Sequence, residues 1–335
     1  MKSRIVIDTM GGDNAPFNEI LGAIDALNTD KNLEIILVGV KDVIQNELQK
    51  HQFASERLSI IHADEVIDMH DIPVNAVRSK KNSSLVIGAN LIKDSKAEAL
   101  VSAGNTGAVL AASTLIIGRI PGCGRPTIGA SFPTSTSKVC QVFDVGASVD
   151  SKPNHLLEYA IMGTVFAQEM YNIENPTVGL LSVGEEETKG NEVTFTSHKL
   201  LSGSGLNFIG NVEGRDVLNG KVDIIVCDGF VGNIILKFGE SFLHFLKARL
   251  RSVAEKSLVN KLKIGLVKGL VKEALSDVDY QTHGGVPLLG IKGVSIIGHG
   301  SSSPLAIKNM ILRAKEMLDK ELITKFKESF EKYGK

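Results

Sequence analysis

Short, nearly all-apolar runs alternate with amphipathic stretches along most of the chain. RIVID (4–8), LEIILVG (33–39), LSIIHA (58–63), EALVSAG (98–104), TIGASF (127–132), VCQVFDVG (139–146), TVGLLSV (177–183), LNFIGNV (206–212), VDIIVCDG (222–229) and VSIIGHG (294–300) are short enough, and rich enough in β-branched residues, to read as strands. Between many of them the apolar spacing turns helical, as in KDVIQNELQKH (41–51), HLLEYAIMGTVFAQEMY (155–171) and EVTFTSHKLLS (192–202). Strands without a polar face need cover on both sides, so the alternation predicts an α/β protein whose sheet lies between two layers of helices. From 233 to 279 the pattern is helix upon helix with no strand, which predicts a helical excursion from the α/β body, and a last long helix is expected from about Leu305 to Tyr333.

No low-complexity linker or short repeat divides the chain. It reads as one α/β/α domain over 1–335, with two intertwined halves as the alternative subdivision. At 335 residues, 43% hydrophobic and 22% charged, the composition is that of a globular protein with a large core. A net charge of −1 excludes the molecule as a whole from being an electrostatic magnet for nucleic acid, so any basic docking surface must be local. The three cysteines, Cys123, Cys140 and Cys227, lack the paired spacing of a disulfide framework or a zinc site. The apolar run at the N-terminus is broken by Asp8 and too short for a signal peptide, and no run of about 18 apolar residues exists to span a membrane, so a cytosolic protein is expected.

Glycine-containing polar turns follow several of the strands: IDTMGGDNAP (7–16), VSAGNTGAV (101–109), SVGEEETKGN (182–191), CDGFVGN (227–233) and GHGSSSP (298–304). Glycine brings backbone close to a ligand, and the helix that follows points N–H groups into the turn. Turns after the C-terminal ends of strands are expected to gather on one sheet edge, where neutral donors would suit an anion. Taken singly, each is equally an ordinary strand-to-helix connection. A nucleotide is disfavoured: GxxxxGK[ST] is absent, and the one GxG in the right order, Gly298–Gly300, has Ser303 where a third glycine belongs.

Two turns carry reactive groups. Lys189 can act as a point charge for phosphate or as a proton donor, or it can simply neutralise Glu185, Glu186 and Glu187. Asn233 can donate to a developing oxyanion, or it can be an N-cap. No GxSxG elbow, reactive cysteine turn or HExxH spacing is present, so direct attack of one bound substrate on another fits better than a covalent enzyme intermediate.

MGGD (10–13), RSKKNSS (78–84), SAGNTGA (102–108), DVGA (144–147), GEEETKGN (184–191), DGFVGN (228–233) and GHGSSSP (298–304), in this order over nearly the whole chain, closely resemble the bacterial phosphate acyltransferase family, PlsX. The resemblance implies transfer of a fatty acyl group from the thioester of acyl carrier protein to inorganic phosphate, giving acyl phosphate for phospholipid synthesis. It implies a homodimer, no cofactor or metal, and a three-layer α/β/α fold with a mixed, mostly parallel sheet, similar to the isocitrate and isopropylmalate dehydrogenases and the phosphotransacetylases. By the same resemblance Lys189 and Asn233 are the catalytic pair, one orienting phosphate and the other bonding the thioester carbonyl, with the division open. Ser102, Gly104, Asn105, Thr106, Gly107 and Ser301, Ser302 and Ser303 are candidates for the phosphate site; Asp13 either orients a donor or caps a helix.

Arg78, Lys80 and Lys81 are the candidate dock for the acidic carrier, or else a solvated loop. The segment 255–275 carries five lysines against two glutamates. Its face of Leu262, Leu266, Val267 and Leu270, with Lys261 and Lys268 at the margin, suits either an anionic membrane surface or a helix buried in a dimer. The resemblance, which implies an apolar product and a membrane-embedded glycerol-3-phosphate acyltransferase as the next enzyme, favours the membrane, and so a cytosolic protein peripherally associated with it. The competing readings are a phosphotransacetylase-like enzyme using acyl-CoA, an NAD-dependent β-decarboxylating dehydrogenase and a non-catalytic anion-binding scaffold.

Overall fold

The computed structural model describes residues 2–53, 55–136, 138–274 and 284–334, without side-chain detail at 243, 244, 268 and 271–274. The first half of the chain runs β1 (Ser3–Asp8), α1 (Phe17–Thr29), β2 (Leu33–Gly39), α2 (Lys41–Leu48), β3 (Leu58–His62), α3 (Pro73–Ser79), α4 (Ser84–Lys93), β4 (Ala99–Ser102) and α5 (Thr106–Ala112). It continues through β5 (Thr127–Pro133), β6 (Val139–Phe143), α6 (Pro153–Tyr171), β7 (Val178–Leu181), α7 (Glu192–Ser202), β8 (Phe208–Val212), α8 (Asp216–Asn219) and β9 (Ile224–Val226). The helical pair α9 (Gly229–Ala254) and α10 (Leu258–Ala274) follows, then β10 (Val286–Leu289), β11 (Val294–Ile297), α11 (Pro304–Asp319) and α12 (Leu322–Tyr333).

The eleven strands among the described residues join one sheet in the order β3-β2-β1-β4-β11-β10-β5-β6-β9-β7-β8. Alternate residues of a strand face opposite sides. Accordingly Ile5, Ile7, Ile224 and Val226 pack with α1, α6, α11 and α12 through Ile20, Tyr159, Met310 and Phe326. Val6 and Ile225 face the other way, towards Val77 of α3, Val86 of α4, Val109 of α5 and Val217 of α8. The result is three layers, helix on sheet on helix, with a mixed, mostly parallel sheet.

The pairing corrects the expectation that the glycine-rich turns share one edge. β1, β2, β3, β4 and β11 are mutually parallel, as are β6, β7, β8 and β9. Three antiparallel pairings stand between the two groups, β11 with β10, β10 with β5 and β5 with β6. An odd number of reversals leaves the groups pointing in opposite directions, so the C-terminal ends of β1, β4 and β11 lie at one sheet edge and those of β6, β7 and β9 at the other. Two further differences are local. The strand β10 was not among the apolar runs, and the final helix is two helices, interrupted where Glu321 takes a left-handed conformation (φ 52°).

Candidate active site

At the first edge four motifs meet around a buried carboxylate. Asp8 ends β1 and accepts hydrogen bonds from Ser84 Oγ (2.6 Å) and Ser102 Oγ (2.7 Å), while Ser102 Oγ accepts from the Gly104 N–H (3.1 Å). The Gly298 N–H donates to Ser102 O and the Asp13 N–H to Gly300 O, each at 2.8 Å. MGGD, RSKKNSS, SAGNTGA and GHGSSSP are thus laced together. A Cβ on Gly11 would stand 3.0 Å from the Gly104 backbone, which is why the two turns can approach so closely.

Several candidate phosphate donors are used to build these turns. Ser102 holds Asp8, Asn105 caps α5 through the Ala108 N–H (3.1 Å) and donates to the carbonyls of Asp68, Met69 and Asp71, and Ser303 caps α11 through the Ala306 N–H (3.3 Å). Ser302 is buried, with its carbonyl held by Asn18 (2.9 Å), and Ser301 Oγ lies 2.8 Å from His299 Nδ1. Gly104 is buried, and Gly107 packs where a Cβ would strike Pro73. Thr106 and Ser301 are exposed, at the entries to α5 and the GHGSSSP turn. Asp13 is exposed and caps no helix, since α1 begins behind Pro16.

Beneath MGGD lies a residue the sequence reading missed. Glu19 is 1% exposed, its Oε2 has no hydrogen-bond partner, and its Oε1 fills the space a Gly12 Cβ would need. Burial, reinforced by the charges of Asp8 and Asp13, pushes its pKa up to about 7. Burial likewise raises Asp8, against the hydrogen bonds from Ser84 and Ser102.

The basic loop is partly spoken for. Lys80 is ion-paired with Asp71 (2.5 Å) and donates to Val66 O (2.8 Å), while Arg78 and Lys81 are exposed.

At the opposite edge a second buried carboxylate plays a similar part. Asp144, just after β6, accepts the N–H groups of Gly146 (3.0 Å), Ala147 (2.8 Å) and Ser148 (2.8 Å), drawing DVGA into a tight turn. Burial pushes its pKa up to about 6 against those bonds. The start of α9 presses on this turn: a Cβ on Gly232 would come 1.7 Å from Asp144 O, so only glycine fits. Gly146, at φ +130°, leaves room for the Asn233 side chain beside it.

Asn233 is not the cap of α9. Asp228 is, accepting the Val231 N–H at 3.0 Å, and Asn233 stands exposed one turn in. Lys189 lies in the turn after β7, the strand next to β9. Its carbonyl is held by Ser182 Oγ (3.0 Å) and by Asn211, a buried residue at the end of β8 that also binds Glu186 O (2.9 Å). Glu185 pairs with Lys221 (2.9 Å) and Arg215 (3.7 Å), whereas Lys189 is exposed and makes no ion pair among the described residues. Val149, Val183 and Phe230 expose apolar surface in the same three turns.

The three thiols are buried and held protonated; burial pushes Cys123 and Cys140 up to about 12 and raises Cys227 as well. Beyond Asn233, α9 exposes Ile234, Phe238, Phe242 and Phe245, and α10 exposes Leu258 (80%), Leu262 (70%), Leu266 (83%) and Leu270 (68%), with Val267 and Lys261 also exposed. The Lys268 side chain lies outside the described residues. No described helix is long and apolar enough to cross a membrane.

The profile of the family described as "Fatty acid synthesis protein" matches residues 3–325. The chain is 45% identical to the phosphate acyltransferase of Halothermothrix orenii over 99% of both chains. It is 47% identical to that of Chlorobaculum parvum over 95% of this chain and 96% of that one. Among solved structures it resembles a phosphotransacetylase from Streptococcus pyogenes, with a TM-score of 0.61 at 18% identity, covering 95% of this chain and 94% of that one. A branched-chain phosphotransacylase from Enterococcus faecalis gives a TM-score of 0.55 at 13% identity over 94% and 99%. These two structures share the fold.

Proposed function

Since the chain belongs to the phosphate acyltransferase family and is an acyltransferase, we propose that it moves a fatty acyl group from the thioester of acyl carrier protein to inorganic phosphate. A phosphate oxygen attacks the thioester carbonyl carbon, the C–S bond breaks, and the sulfur leaves as the carrier's thiolate and takes up a proton. The products are acyl phosphate and the free carrier thiol, with no acyl group passing through the enzyme.

The observation that carries this reading is the pair Lys189 and Asn233. Lys189 lies in the turn after β7 and Asn233 one turn into α9, which follows the adjacent strand β9, and among the described residues neither side chain serves as cap or ion-pair partner. An amide donor and a fixed cation are what a thioester oxyanion and an incoming phosphate require. Val149, Val183 and Phe230 offer apolar surface for the acyl chain beside them. Backbone N–H groups at the entries to α5 and α11, with Thr106 and Ser301, suit phosphate.

Arg78 and Lys81 are the outward cations left to meet the acidic carrier. The exposed leucines of α10, with Lys261, suit an anionic membrane surface, where acyl phosphate would pass to a membrane-embedded glycerol-3-phosphate acyltransferase for phospholipid synthesis. The enzyme would then work at the cytosolic face of the membrane as a homodimer.

The donor is tested by initial rates with carrier-protein and CoA thioesters of one chain length. A kcat/KM at least tenfold higher for the carrier thioester is expected; an equal or better rate with CoA would replace this reading by a phosphotransacetylase-like one.

A further inference from the structure

We propose that the active site is composite: the phosphate-binding turns of one copy of the chain face Lys189 and Asn233 of a second copy. This rests on the function proposed above and deepens it.

The sheet itself makes the case. The turns after β1, β4 and β11 lie at one edge and those after β6, β7 and β9 at the other. From the end of β11 to the end of β6 there are three strand spacings across the sheet and about one strand length along it, roughly 20 Å in all at about 4.8 Å per strand and 3.3 Å per residue. A lysine side chain reaches about 6 Å from its Cα, a small part of that gap. The strands between the two edges are internal and paired on both sides, so closing the gap within one chain would mean breaking the sheet.

Both edges are nevertheless built with the same care. Each has a buried carboxylate at a strand end, Asp8 or Asp144, lacing glycine turns into a fixed shape. One edge offers anion donors, with Lys80 tied to Asp71 and Arg78 and Lys81 as exposed cations of its basic loop. The other offers Lys189, which makes no ion pair among the described residues, and the Asn233 amide. In a two-fold dimer, the contact that brings one edge of the first copy to the other edge of the second is repeated by symmetry, giving two complete sites.

The surface that would hold the second copy starts at Asn233. The exposed residues Phe230, Ile234, Phe238, Phe242 and Phe245 run along α9, whose 26 residues extend about 39 Å at 1.5 Å per residue. A stripe this apolar and continuous needs a partner, and covering it with a second copy sets that copy directly against the Lys189–Asn233 edge.

The test uses mixed dimers of the full chain, isolated through two different tags. One chain carries Lys189→Ala. The other carries Thr106→Glu, an exposed position at a helix start that tolerates an acid but repels phosphate. Each homodimer should lose at least 100-fold in rate, and the mixed dimer should recover about half the wild-type rate through its one intact site. Pairing wild type with a chain bearing both substitutions should give a dead mixed dimer, where self-contained sites would retain half. A dead Lys189→Ala/Thr106→Glu mixture with native circular dichroism would overturn the proposal, as would full activity from a monomer in light scattering, and both leave the acyl-transfer reading standing. Homodimers as active as wild type would instead overturn the assignment of these edges to catalysis, and the composite site with it.

Discussion

Lys189 and Asn233 can be weighed by asking what the fold would lose without them. Asp228 already caps α9, and Lys221 and Arg215 already neutralise Glu185, so truncating either residue removes nothing the structure relies on. If each stabilises charge that develops during transfer, Lys189→Ala and Asn233→Ala should each lower kcat roughly 100-fold or more. Melting temperature and circular dichroism should stay at wild-type values. A change of only a few fold would return the residue concerned to the solvent. Glu19 is the converse, a group the fold tolerates at a cost. Its folded pKa, about 7, lies above the ordinary 4.5, so the native state holds the proton more tightly than the unfolded chain. Below about pH 4.5 both states are protonated and the cost is nil; it grows as pH rises and is complete above pH 7, at roughly 3 kcal/mol. Glu19→Gln should therefore melt with wild type near pH 4.5 and about 4 °C higher at pH 8. Parallel melting curves across that range would show that Glu19 is not perturbed.

At the scale of elements, α10 separates from the body of the protein by its surface. Leu258, Leu262, Leu266 and Leu270 recur every fourth residue, which stacks them on one face, and all are exposed. Leu266→Asp with Val267→Asp should abolish binding to vesicles containing anionic lipid and leave activity in solution and the dimer intact. Wild-type protein that ignores such vesicles, or a double variant that falls apart, would make the helix structural. The strands and helices were legible wherever burial was two-sided, because runs such as LEIILVG and VDIIVCDG have no other stable use. The strand β10 was not, since four residues with Pro287 near the start look like a loop, and only its neighbours β11 and β5 make it a strand. The break between α11 and α12 was equally silent: Lys320 and Glu321 are good helix formers, and nothing local announces a left-handed residue.

The arrangement of the whole molecule was the least legible, though one signal was present. β5 and β6 are joined by only 134–138, too short for a parallel crossover, and that hairpin is one of the three reversals that leave the two strand groups opposed. The motifs predict which turns carry chemistry, and the reversal decides that they sit on two edges. Catalysis by position and charge, with no enzyme nucleophile, is the claim on which the rest depends. Its most direct measurement is to incubate the protein with acyl carrier protein thioester in chelator-treated buffer, with and without inorganic phosphate, and trap the product with hydroxylamine. Acyl hydroxamate should form only with phosphate, one for each carrier thiol released. Thiol release that proceeds equally without phosphate, an acyl group left on the protein, or an absolute need for added divalent metal would contradict it.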